Sequence, residues 1–102
     1  MGNLVKVNLN SCIIKVSDEK EYNEIAGLLD NTGVCWNNRK RYSDWSPYHS
    51  MKYGPNVEPD KAIYLVPREG CWLTEEEYAD GFGGGLPTVS LRFLKKMDLI
   101  NK

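Results

Sequence analysis

The sequence predicts an α+β domain in which a small, largely antiparallel sheet packs on one main helix and a long irregular loop leaves the body. Three observations predict it: a β-branched, alternating N-terminal stretch, a capped segment with apolar residues at helical spacing, and two later β-rich stretches joined by a turn. A chain of 102 residues has room for one core, so residues 1–102 read as a single domain with 37–61 as an excursion.

Each element has its own signal. Val5, Val7 and Leu9 alternate with Lys6 and Asn8, and Cys12-Ile13-Ile14-Lys15-Val16 continues after a turn or bulge at Asn10-Ser11, giving one bent strand or two short ones. Ser17-Asp18 is an N-cap with Glu21 as its capping-box partner, and Tyr22, Ile25, Ala26 and Leu29 share one face of a helix over about 18–30. Asn31-Thr32-Gly33 stops that helix, and Val34-Cys35-Trp36 reads as a short returning strand. Between 37 and 61 no period survives, and Pro47, Gly54, Pro55 and Pro59 break any regular element. Ala62 to Val66 and Cys71 to Leu73 flank a Pro67-Arg68-Glu69-Gly70 turn as a hairpin. Thr74 with Glu77 opens a short helix, Gly81 to Gly85 calls for flexibility or positive φ, Thr88-Val89-Ser90 forms a last strand, and Leu91 to Met97 a closing helical turn. Tyr22, Ile25, Leu29, Trp36, Ile63, Leu65, Trp72, Val89 and Phe93 are the expected core.

Composition bounds the function. A hydrophobic fraction of 41% and a charged fraction of 26% belong to a folding domain. A net charge of −1 provides no global pull toward nucleic acid or a membrane surface. No apolar run is long enough to span a bilayer and no signal-peptide pattern opens the chain, so a cytoplasmic location is expected. Cys12, Cys35 and Cys71 are odd in number and unpaired in spacing, which predicts reduced thiols.

The chemistry concentrates in the long loop. Arg39, Lys40, Arg41 and Lys52 are mixed with Tyr42, Trp45, Tyr48 and Tyr53, a combination that suits a protein interface because Trp, Tyr and Arg dominate hot spots. The same residues suit phosphate contact with base stacking, so nucleic acid is a second expected partner class. A third reading seals a small core with the aromatic rings and leaves the cations solvated. The acidic face of Asp18, Glu19, Glu21, Glu24 and Asp30 segregates charge from this loop and reads as a solvated helix surface.

Other constellations carry less. Cys35 and His49 have no oriented third member for nucleophilic catalysis, and three Cys with one His lack the paired spacing of a zinc site. Glu75, Glu76, Glu77 and Asp80 point in different directions around a helix and cannot enclose one cation. The glycines at 83–85 lack the Gly-Lys-Ser/Thr ending of a phosphate loop. No enzyme activity and no cofactor are expected. A small-molecule pocket, if built, is placed where the 37–61 loop meets the glycines at 81–85, with a nucleotide-like ligand sequestered and not turned over.

The order of a β-rich start, a capped helix, Gly-x-x-Trp at Gly33 to Trp36, a strand at Ile63-Tyr64-Leu65 and a terminal Val-Ser-Leu-x-Phe-Leu at Val89 to Leu94 resembles small proteins encoded by phages and prophages. The resemblance implies a noncatalytic inhibitor or adaptor that binds a host or defence protein in the host cytoplasm, of the anti-CRISPR and counter-defence kind. It assigns no functional residue, so the expected partner-binding set, Arg39, Lys40, Arg41, Tyr42, Trp45, Tyr48, Lys52 and Tyr53, comes from the loop's composition alone.

Overall fold

The computed structural model describes residues 6–48 and 57–100. Its elements run β1 (Lys6–Asn8), a 3-10 turn (Leu9–Ser11), β2 (Ile13–Val16), α1 (Glu19–Asp30), β3 (Ile63–Val66), β4 (Cys71–Thr74), α2 (Glu75–Ala79), β5 (Thr88–Ser90), α3 (Leu91–Leu94) and β6 (Asp98–Ile100). The fold is α+β. A four-stranded sheet in the order β4-β3-β2-β5 has two antiparallel pairs and one parallel pair, and β1 and β6 form a separate parallel ladder.

Each face of the main sheet is covered differently. Ile14, Val16, Ile63 and Leu65 pack with Tyr22, Ile25, Ala26 and Leu29 of α1 in the larger core. Full burial of such a side chain is worth about 1.5–3 kcal/mol, which outweighs the weak intrinsic stability of a helix only 12 residues long. Ile13, Tyr64, Val66 and Leu73 point the other way and meet Tyr78 of α2 and Leu86. Tyr64 and Tyr78 stack there with ring centroids 3.9 Å apart. Because both faces are covered, β3 is buried at all four positions, which explains its unbroken apolar sequence.

Caps set the helix limits. The Glu21 amide donates to Asp18 Oδ1 at 2.8 Å, and Glu21 Oε1 accepts from the Ser17 amide at 3.2 Å, so α1 is capped at the predicted place. Thr74 and Glu77 complete a reciprocal capping box at α2.

Three expectations need correction. Val34-Cys35-Trp36 forms no strand: the Trp36 amide bonds to the Lys40 carbonyl at 2.9 Å, which turns the chain back before any ladder forms. Phe93 is 39% exposed and outside the core. On the four-residue α3, Leu91 and Leu94 share the inner side, and Phe93, two positions from Leu91, falls on the opposite side. Thr88-Val89-Ser90 is not the last strand: α3 ends at Leu94, and residues 98–100 follow as β6 by pairing with β1.

Candidate interaction surface

Residues 34–48 form a strap across the end of the larger core, held from below by aromatic rings and buried donors. Tyr22 Oη donates to the Tyr42 carbonyl at 2.6 Å and to the Trp45 carbonyl at 2.9 Å, and Trp36 Nε1 reaches that same Trp45 carbonyl at 2.9 Å. Trp36 lies 4.5 Å from Tyr42 and 5.1 Å from Trp45 between ring centroids, and Tyr22 meets Tyr48 edge-on at 5.9 Å. Burial pushes the Tyr22, Tyr42 and Tyr48 hydroxyls above their ordinary value.

Polar contacts complete the attachment. Asp30 Oδ1 accepts from the Tyr42 amide at 3.1 Å, and its other oxygen accepts from Ser43 Oγ. Asp30 is therefore an anchor for the strap and not simply part of a solvated acidic face, a role its place at the end of a helix does not reveal in sequence. Tyr48 Oη donates to the Lys61 carbonyl at 2.6 Å, tying the strap to the limb that returns to β3.

The strap displays a tight turn. The Arg39 amide bonds to the Trp36 carbonyl at 2.8 Å, the Lys40 amide to Asn38 Oδ1 at 3.0 Å, and the Trp36 amide closes on Lys40. Arg39 adopts φ 70°, and among the described residues it is the one non-glycine with positive φ. Asn37, Asn38, Arg39, Lys40 and Arg41 are all exposed. Arg41 forms a paired contact with Asp44, at 2.9 and 3.2 Å, which holds the carboxyl below and the guanidinium above their ordinary values. Arg39 and Lys40 make no ion pair among the described residues.

The structure thus divides the sequence-assigned set. Arg39, Lys40 and Arg41 face solvent, Trp45 is half-buried, and Tyr42 and Tyr48 are buried within the core, where no partner can touch their rings. Lys52 and Tyr53 lie outside the described residues, as does His49. The inward turn has a signal in the sequence: Tyr42, Trp45 and Tyr48 recur every three residues in a small domain that needs large side chains to fill its core.

One groove borders the returning limb of the 37–61 loop and does not reach the glycines at 81–85. It encloses about 690 Å³ between Val57 to Ile63 and Thr74 to Ala79, lined in part by Glu58, Lys61, Glu75 and Glu76. The strap packs against Gly70, whose carbonyl accepts from the Asn37 amide at 3.0 Å. Gly83 lies on the second sheet face, where an added Cβ would fall 2.2 Å from Ile13 Cδ1.

Among the described residues no cluster of three His, Cys, Asp or Glu is placed to hold a metal, and no helix is long and apolar enough to cross a membrane. No protein-family model, curated protein or solved structure matches the chain.

Proposed function

We propose that this protein is a noncatalytic inhibitor or adaptor that binds an acidic surface of another protein through the 37–41 turn, with Arg39 and Lys40 as the leading contacts. In keeping with the phage-protein resemblance, the partner is a host or defence protein in the host cytoplasm, as for counter-defence and anti-CRISPR inhibitors.

The observation that supports this reading most is the backbone of Arg39. A left-handed conformation costs a residue with a Cβ about 1–2 kcal/mol relative to glycine, yet the position holds a long cation at the apex of an exposed turn. Strain retained at an exposed polar position points to a use for that side chain. The ring-packed strap beneath holds the turn in one geometry, which lowers the ordering cost of binding. The same inward rings count against the nucleic-acid reading, because Tyr42 and Tyr48 are unavailable for stacking and Arg41 is already paired, leaving few phosphates to neutralise.

Affinity purification from a bacterial lysate, comparing the wild type with the R39E/K40E variant, tests this. A stoichiometric protein is expected to be retained by the wild type and weakened by about tenfold or more in the reversed variant, with strong salt dependence. Absence of a stoichiometric partner, or equal retention by a folded R39E/K40E protein, overturns the reading. Salt-sensitive capture of nucleic acid alone overturns it in favour of the second partner class.

A further inference from the structure

Cys35 and Cys71 come from distant parts of the chain and meet one seam of the fold. Trp36 and Asn37, just after Cys35, touch Gly70, just before Cys71: the Asn37 amide donates to the Gly70 carbonyl at 3.0 Å. An added Cβ on Gly70 would lie 2.4 Å from the Asn37 nitrogen and 2.9 Å from the Trp36 carbonyl carbon. Bridging two cysteines needs Cα atoms within about 7 Å, a spacing that direct backbone contact between their neighbours brings within reach.

Side-chain direction favours the meeting. Val34 and Trp36 both turn into the larger core, while Cys35 between them is only half-buried and stands outside that cluster. Trp72 also packs on the larger core, while Cys71 packs with Val66 toward the second face. Both are half-buried free thiols, whereas Cys12 is buried. The third group at this seam is the Tyr42 hydroxyl, a buried oxygen without a hydrogen-bond partner. Burial chiefly, then the nearby Cys35 and Cys71 thiols, push its hydroxyl above the ordinary tyrosine value.

We propose that Cys35 and Cys71 are a redox pair that closes into an intramolecular disulfide on contact with a peroxide, fastening the 34–48 strap to the β3–β4 hairpin. The Cys35 thiolate attacks one peroxide oxygen, the O–O bond breaks and one water leaves, giving a sulfenic acid. The Cys71 sulfur then attacks Cys35 Sγ, the S–O bond breaks and a second water leaves. Each sulfur loses one electron, the peroxide gains two, and the two thiol protons depart in the two waters. Cys71 is the second to react because burial and the Glu69 carboxylate, 3.8 Å from its sulfur, raise its thiol. Cys12 stays out of the exchange, pushed up to about 11 by burial. The bond places the displayed turn inside a covalent ring, independently of what that turn binds.

Hydrogen peroxide titration of the full chain, with peptide mapping by mass spectrometry under nonreducing conditions, tests this. The expected product is a monomer short of two hydrogens, with one peptide joining Cys35 to Cys71, formed equally in C12S and reversed by a dithiol. The oxidised protein should melt about 10 °C or more above the reduced one, since closing so long a loop constrains the unfolded chain. Sulfenic or sulfinic acids left unlinked at both positions, a bond that includes Cys12, or a disulfide between two chains overturns the proposal. The map on the wild-type protein decides the matter even if C35S or C71S fails to fold.

Discussion

The strap at 34–48 and the segment at 81–86 are both irregular and both lie over a core, yet they are ordered by opposite means. The strap is fixed by its side chains: Trp36, Tyr42 and Tyr48 are buried, and Tyr22 and Trp36 donate to its carbonyls. The 81–86 segment is fixed by its backbone. Gly81, Gly84 and Gly85 take positive φ, Gly83 lies against Ile13, and Phe82 is left 64% exposed. The difference teaches that irregular chain in a small domain is ordered either by burying large rings or by removing side chains.

The largest effect that can break this comparison is alkaline. Burial, chiefly, pushes the Tyr22, Tyr42 and Tyr48 hydroxyls above their ordinary value in the folded state, so the folded protein holds those protons more tightly than the unfolded chain. Their contribution is complete below pH 10.0, the ordinary tyrosine value, and is lost as pH rises above it. Cooperative unfolding is expected there, with tyrosinate absorbance and loss of circular dichroism appearing together; gradual tyrosinate formation in a protein that stays folded would show the strap to be open.

Next in size is Trp36→Ala. Removing a buried indole that touches two rings and donates to Trp45 should cost about 3–5 kcal/mol in urea denaturation. A loss below about 1 kcal/mol would place the strap among ordinary surface loops.

A pair of glycine substitutions separates conformation from contact. Gly70→Ala and Gly85→Ala both force a residue with a Cβ into positive φ, at about 1–2 kcal/mol each. At Gly85 nothing lies within 4 Å, whereas at Gly70 the strap backbone is in the way, adding about 1–3 kcal/mol of overpacking. Equal losses for the two variants in thermal denaturation would mean that the strap moves aside freely. The smallest effect is Phe82→Ser, expected to change stability by no more than about 0.5 kcal/mol, since the exposed ring stands outside both cores. A larger loss would show that Phe82 packs onto the body.

Much of the scaffold was legible in the sequence because its signals are local. The cap at Asp18, the helical spacing of Tyr22, Ile25 and Leu29, the hairpin about Pro67 to Gly70 and the capping box at Thr74 depend on residues a few positions apart, and all form where expected. The candidate surface was half legible. Exposure of Arg39, Lys40 and Arg41 follows from residue type, whereas Tyr42 and Tyr48, drawn into the same set by composition, are buried beneath the turn.

By itself, then, the sequence determined α1, α2 and the β3–β4 hairpin and that residues 37–61 lack a regular period, because capping, periodicity and turn chemistry are properties of neighbours. Tertiary structure alone decided that β1 pairs with β6, that the strap rests on Gly70, that Asp30 serves it as an anchor, and that the rings turn inward while Arg39 and Lys40 turn out. These depend on contacts between residues far apart in the chain. A ring in a loop can cover a core or meet a partner with the same local sequence, and the choice falls to whichever buried surface and carbonyl partners the rest of the fold brings beneath it.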